Sequence, residues 1–412
     1  MNSVLARPWF AFFLGFVFPY LLTKIDFVST VGGMSEETEA LIHLSIFAYS
    51  LGLLFCLGLR SCLAGFVLRK SLVVNVYIRQ LTFLYVFLFA WFALGVLCLF
   101  YEFYSMGAIP LFSGDVEELR FKLQVSGAVH LIAISLGIVS TLFLVSTSFL
   151  VGWRKLVFIF FGLMGFGFLA LTGNRSDSML CMVVTFLYFL FSRKSVFGVK
   201  FFVIAFLMLS GFVLVKFYRE VSYGVDYLEM IEEQLTGESS FLKFLLYPLY
   251  MTLTYGYMIL DRLVNAGVEA VEGGRYTFYA FYSLLPGAQV DFGTFKNEVL
   301  GIDFYAELTS TVVSNFYVDF GSAGVFVGVF LLAVLLGWAY GKAKQDRRFI
   351  LLYALLYFHT LIYFYMYIYV LFIAFIHVLV YFFYCKFFLG VEVLGERLSS
   401  DVCCSAGLVQ GE

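Results

Sequence analysis

Four polar clusters interrupt an otherwise apolar sequence, and each holds residue types suited to binding or moving charge. The first is Gly173-Asn174-Arg175-Ser176-Asp177. An arginine on a short turn presents a planar, permanently charged fork that matches the oxygens of a phosphate, and Asn174 and Asp177 beside it could orient such a ligand. The same arginine would also serve as an interfacial residue snorkelling to lipid headgroups. The second cluster, Lys216-Phe217-Tyr218-Arg219-Glu220, joins two cations to an acid. It fits either a second anion site or a membrane-interface anchor. The third is Glu272-Gly273-Gly274-Arg275-Tyr276-Thr277, followed by Pro286-Gly287. Paired glycines allow close backbone approach and unusual dihedrals, so Arg275 could hold a ligand or mark a plain turn. Tyrosines such as Tyr276 offer rings on which sugars stack. The fourth runs from Ser314 to Gly321 and contains Asp319 near a hydrocarbon boundary. An ionisable residue there is costly and a functional candidate; the alternative is an acid complementing a helix dipole.

Weaker features have simpler readings. Gly162, Gly165 and Gly167 sit inside an apolar run and suit helix packing, as do Gly324 and Gly328. His359 and His377 are intramembrane, as packing residues or as proton relays. The seven cysteines show no zinc-ligand spacing, and the adjacent pair Cys403-Cys404 lies in the C-terminal tail. No Walker motif, nucleophile elbow or paired His/carboxylate metal set is present in the sequence.

Positioning these clusters falls to a chain built for lipid. Hydrophobic residues make up 62% of it and charged residues 13%, against roughly 25% charged in soluble domains. The apolar stretches run for about twenty residues, the length of a membrane-crossing helix. They do not alternate as barrel strands would. The expected fold is an all-α polytopic integral membrane protein with about ten transmembrane helices (nine to twelve), forming a single membrane domain over 1–412. Spans are expected near 8–24, 40–60, 80–101, 129–150, 156–172, 178–192, 197–217, 313–338, 349–366 and 368–389. The first follows Arg7 without a small-residue cleavage site, so it reads as a retained helix. Segment 241–263 is apolar but carries Lys243, Pro248, Asp261 and Arg262, and reads as interfacial or re-entrant.

Charge then sets orientation. With both termini in the cytoplasm, sixteen of the 26 Lys and Arg fall inside, most of them in short loops where the positive-inside rule has force. Most acids fall outside. The outer loop between the seventh and eighth spans, 218–312, holds about a quarter of the chain and is rich in aromatic residues. It is expected to carry interfacial helices, and chemistry is expected at that outer face.

Together the clusters resemble one family. The Gly-Asn-Arg-Ser turn after the fifth span resembles the G-x-R-S signature of bacterial oligosaccharide repeat-unit polymerases of the O-antigen and capsule pathway (Wzy-type). Gly274-Arg275-Tyr276-Thr277-Phe278 with Leu285-Pro286 is similar to the family's Gly-x-Tyr-Thr…Leu-Pro stretch. Phe316-Tyr317-Val318-Asp319-Phe320-Gly321-Ser322-Ala323-Gly324 is similar to its Tyr-x-Asp-Phe-Gly-x-x-Gly stretch, and Gly107-Ala108-Ile109-Pro110-Leu111 fits its Gly-x-x-Pro pattern. The resemblance implies glycosyl transfer between repeat units carried on undecaprenyl diphosphate, at the periplasmic face of the inner membrane. It implies Arg175 at the departing diphosphate with Arg219 and Arg275 in support, and Asp319, Asp177 or Glu220 as the base. Cofactor, metal and nucleic acid are not expected; a chain-length regulator is a possible protein partner. Rival readings are an O-antigen ligase, a flippase for the lipid-linked oligosaccharide and an inactive membrane subunit. All four histidines fall in or beside spans rather than in the long loop, which counts against the ligase.

Overall fold

Lipid supplies no hydrogen-bond partners, so a backbone crossing it must satisfy itself, and helices do so. A computed structural model describes residues 4–25, 27–29, 33–64, 74–112, 127–172, 175–192, 225–236, 241–282, 291–301, 309–366 and 372–393, and these are overwhelmingly helical. In chain order the elements are α1 (Pro8–Leu22), α2 (Glu36–Ala64), β1 (Val74–Ile78), α3 (Leu81–Met106), α4 (Gly127–Phe149), α5 (Trp153–Ala170) and α6 (Arg175–Ser192). They continue with α7 (Val225–Gln234), α8 (Phe241–Asn265), α9 (Phe292–Leu300), α10 (Val312–Gln345), α11 (Ile350–Leu361), α12 (Phe372–Phe383) and β2 (Leu389–Val393).

Five of these helices contain stretches long and apolar enough to cross a bilayer: Glu36–Gly58, Leu81–Met106, Gly127–Phe149, Trp153–Ala170 and Val312–Gln345. Pro8–Leu22, Leu180–Ser192 and Ile373–Phe388 are apolar but shorter. The expected span at 197–217 lies outside the described residues. The stretch expected over 349–366 is helical only to Leu361 and then turns through Tyr365. Its 12 residues reach about 18 Å at 1.5 Å per residue, short of the roughly 30 Å hydrocarbon core. Segment 241–263 forms one helix in spite of Pro248.

The chain divides into two compact units. The first comprises Met1–Ser61, Arg193–Trp338 and His359–Ala374. Within it, α1 contains one wider π turn at Phe13–Val17. There Gly15 lies so close to the turn after α11 that a Cβ would stand 2.1 Å from the Thr360 carbonyl oxygen, and its own carbonyl accepts the Phe364 N–H at 2.9 Å. Tyr257 of α8 donates its hydroxyl to the Phe16 carbonyl, and Phe12 stacks on Tyr49 of α2 at 3.7 Å between ring centres. Asp261 of α8 accepts the Ser35 N–H and hydroxyl at 2.8 and 2.7 Å, which fixes the entry into α2.

The second unit comprises Cys62–Ser192, Ala339–Phe358 and Phe375–Glu412. Its α3, α4 and α5 run antiparallel in succession. Gly162 and Gly165 of α5 let that helix close on α4: added Cβ atoms would fall 2.6 Å from Leu144 Cγ and 2.1 Å from Ser140 Oγ. Gly162 and Gly165 thus do the helix packing expected of them, whereas Gly167 has open space where its Cβ would stand. Phe89, Phe143 and Phe158 meet edge to face at 5.1 and 5.0 Å, a geometry worth about 0.5–1.5 kcal/mol per pair. At one end of this unit β1 and β2 pair antiparallel, Val74 opposite Val393 and Ile78 opposite Leu389. Arg348 bonds the Leu389 carbonyl at 3.3 Å and grips Asp346. The sequence reading did not anticipate this strand pair. His377 lies 3.5 Å from the Cys181 thiol and is buried, a packing role.

Candidate functional site

The third and fourth polar clusters meet in the first unit, and a break in α10 brings them together. Gly321 adopts φ 65°, ψ −159° inside that helix, a region essentially reserved for glycine. An uninterrupted helix would send the N–H groups of residues 321 and 322 to the carbonyls of Tyr317 and Val318. The break releases those carbonyls, and the loop after α8 takes them: Ala270 N–H donates to Tyr317 at 3.2 Å and Val271 N–H to Val318 at 2.8 Å. In return, Glu269 Oε1 accepts the Ser322 N–H at 3.1 Å and its hydroxyl at 3.2 Å. Loop and kink thus complete each other's hydrogen bonds.

Asp319 ties the next part of the loop. It is 2% exposed, and its carboxylate accepts the Tyr276 N–H at 3.1 Å and the Thr277 N–H. Asn315 reaches the Tyr276 carbonyl at 3.4 Å. Asp319 stands well past the first turn of α10, so it does not serve as that helix's N-terminal acid. Both of its oxygens are engaged by fixed backbone donors, an arrangement suited to holding a turn. Gly274, at φ +102°, passes so close to Phe320 that a Cβ would meet the ring at 2.8 Å. Gly324 and Gly328 pack against the chain's own preceding residues, Phe320 and Phe316, across the bend.

Arg275 is what this framework presents. Its side chain is 31% exposed and lies 3.5 Å from the Glu272 carboxylate, with the guanidinium 5.8 Å from the Tyr276 ring centre. The pair is long and half-open, so an incoming anion can compete for the fork. Tyr276 itself is 1% exposed and sits between Phe292 and Phe295 of α9, at 5.2 and 4.8 Å. Burial, with Glu272 adding to it, pushes its phenol well above the ordinary range, so it remains neutral. Buried in this way, the ring anchors the turn and offers no face to a sugar. The α9 that supports it is capped at both ends, by Asp291 accepting the Thr294 N–H at 2.8 Å and by left-handed Gly301.

Arg175 opens α6 and Asp177 follows in its first turn. The 110–112 turn is bonded to this region through Leu111 N–H and the Leu171 carbonyl at 3.1 Å. Asn174, Arg219 and Glu220, as well as Leu285, Pro286 and Gly287, fall outside the described residues. Glu269 is the residue that sequence reasoning missed. Its partner lies 53 positions away, and no local motif marks it.

Residues 5–375 match the protein family described as "Putative O-antigen polymerase". The chain belongs to that family. No curated protein and no solved structure matches it. Membership in the O-antigen polymerase family bears out the resemblance drawn from the Gly-Asn-Arg-Ser, Gly-Arg-Tyr-Thr and Asp-Phe-Gly stretches, two of which the fold joins at Asp319. It identifies polysaccharide biosynthesis in a membrane as the setting of the Arg275 turn.

Proposed function

We propose that this chain polymerises oligosaccharide repeat units carried on undecaprenyl diphosphate into O-antigen or capsular polysaccharide, at the periplasmic face of the bacterial inner membrane. The observation that carries the reading is the family match over residues 5–375. In this reaction a hydroxyl at the non-reducing end of one lipid-linked unit attacks the anomeric carbon of the growing chain. The carbon–oxygen bond to undecaprenyl diphosphate breaks, and the diphosphate leaves with the electron pair.

Negative charge grows on that leaving group, and preorganised cations stabilise it most effectively in a site with little water. Arg175 takes this role at the start of an 18-residue helix, where free N–H groups and the helix dipole also favour an anion. Arg275, held on its locked turn, and Arg219 support it. Asn174, Asp177 and Glu220 orient the substrate, and arginine charge takes the place of a metal. Asp319 keeps the Arg275 turn in shape. Cations cluster in the short loops of the second unit: Arg79 follows β1, Arg154 and Lys155 open α5, and Arg348 bonds the Leu389 carbonyl of β2. The count of Lys and Arg along the sequence, sixteen of 26 on one side, supports placing these short loops in the cytoplasm by the positive-inside rule, with both termini there and α6 beginning on the outer side. The long 218–312 segment then faces the periplasm.

The test is surface polysaccharide from a strain lacking the gene, resolved by size. A single-repeat band should replace the ladder. Wild-type protein should restore the ladder, and Arg175→Ala, inserted at normal level, should give about 100-fold less polymer, as expected for losing one transition-state donor. A normal ladder from Arg175→Ala would remove Arg175 from the site. Lipid-linked polymer accumulating unattached would indicate the ligase, and single repeats trapped in the cytoplasm the flippase.

A further inference from the structure

Glu102 and His130 lie outside the four polar clusters, in the second unit. Glu102 sits one turn before the end of α3 and is 0% exposed. His130 sits in the first turn of α4, with Nδ1 at 3.1 Å from Glu102 Oε1 and 3.4 Å from Oε2. The two helices are held in register by Trp91 Nε1 donating to Ser135 Oγ at 2.7 Å and by Gly95 packed on Leu136. Beyond α3, the Leu111–Leu171 hydrogen bond at 3.1 Å ties this end of the hairpin to the segment that leads into Arg175. The pair and the Leu171 end of α5 therefore share one end of the unit.

Stability alone does not explain such a pair. Replacing a buried ion pair with packed apolar side chains is often neutral or stabilising, and ionisable residues inside membrane helices mark functional sites by default. The geometry is that of a proton acceptor. A carboxylate on Nδ1 fixes the ring tautomer, leaves Nε2 as the basic atom and stabilises the imidazolium that forms. Among the described residues the ring has no second hydrogen-bond partner, and its side chain is 21% exposed. The Ser105 hydroxyl bonds the Glu102 backbone carbonyl at 2.9 Å and so leaves the carboxylate to the ring. Cys98 is the titratable group one turn earlier on the same helix.

We propose that Glu102 and His130 form the proton-accepting dyad of the polymerisation. His130 Nε2 takes the proton of the acceptor hydroxyl as its oxygen bonds to the anomeric carbon, Glu102 holds the imidazolium, and the proton then passes to water. The inference rests on the polymerase reading and replaces Asp319 as base.

The experiment uses full-length protein in lipid vesicles with purified undecaprenyl-diphosphate-linked repeat unit, and measures polymer formed. Absence of polymer with wild-type protein would overturn the polymerase reading and the dyad with it. Given wild-type activity, His130→Gln should lower kcat by about 100-fold or more with KM little changed, as for loss of a general base. Glu102→Gln should lower kcat with KM little changed and alter the pH–rate profile, because the ring loses the carboxylate that fixes its tautomer. Free imidazole should restore activity to His130→Gly. An unchanged rate and profile in both glutamine variants overturns the dyad. So does activity that falls only in proportion to folded protein recovered, without imidazole rescue, since that is the behaviour of a structural pair.

Discussion

The Arg275 turn of the first unit and the Glu102–His130 pair of the second each bury one carboxylate, and satisfy it in opposite ways. Asp319 meets two backbone N–H groups from consecutive residues, donors that never lose their protons. Glu102 meets an imidazole nitrogen, part of a ring that can carry a proton on either of its two nitrogens. Hydrogen bonds to a charged group contribute about 1.5–3 kcal/mol each, so both arrangements offset the burial of charge. They differ in what they permit. A carboxylate saturated by backbone donors fixes geometry, whereas one facing a titratable ring can follow a proton. Exposure does not distinguish them, since both are buried; the chemistry of the partner does.

The sharpest way to break that contrast is to remove Asp319. Asp319→Ala would leave the Tyr276 and Thr277 N–H groups buried without partners, about 1–3 kcal/mol each. The expected result is a destabilisation of about 4 kcal/mol and loss of polymer together. Asp319→Asn keeps one acceptor oxygen and should fall between the two, in both thermal unfolding of the detergent-solubilised protein and polymer yield. Glu102→Gln should instead lose polymer with little change in unfolding temperature. A stable but inactive Asp319→Ala would return Asp319 to the chemistry and reverse the assignment of the two carboxylates.

A smaller effect probes the interlock beside Asp319. At Gly321 an alanine would face a backbone conformation costing about 1–3 kcal/mol, with its Cβ 2.6 Å from Glu269 Oε1. Gly321→Ala should lower stability by about 2 kcal/mol. Glu269→Ala removes both the obstacle and the Ser322 partner, so the double variant should be less unstable than the two single losses added together. Residues in contact show such coupling. Strict additivity in thermal unfolding would mean that loop and kink are independent.

Much of the helical fold was legible, and the reasons are local. Runs of about twenty apolar residues mark α3, α4 and α5 within a few positions, because lipid demands length and apolarity together. Gly162 and Gly165 were readable as packing residues, since their spacing keeps them near one helix face. The rest depends on partners distant in sequence. Asp319 and Tyr276 are 43 positions apart, so two clusters that each look like a turn reveal their joint purpose only when folded. Gly321 reads as one more small residue in a span; its break is fixed by Glu269 and the loop that accepts the freed carbonyls. Glu102 resembles any acid at the end of an apolar run until the antiparallel hairpin sets His130, 28 positions on, against it. The strand pair joins segments more than 300 residues apart, and Val74–Ile78 carries no turn signal to announce it.

The finest distinction concerns what the locked turn presents. If the turn exists to aim a fork, charge alone should not suffice at its tip. Arg275→Lys keeps the cation but loses the planar, two-pronged donor geometry suited to phosphate. Among the described residues the Arg275 side chain meets Glu272 at 3.5 Å and the Tyr276 ring, and makes no bond to Asp319, so stability should stay near the wild-type level. Polymer formation should fall about tenfold, equivalent to about 1.4 kcal/mol of transition-state stabilisation. Glu272→Gln in the wild-type background should have the opposite sign, a modest gain in affinity for the lipid-linked diphosphate, because it releases the fork from its competitor. Equal activity of the lysine and arginine forms would reduce the turn to a point charge and leave directional donation to Arg175 and Arg219.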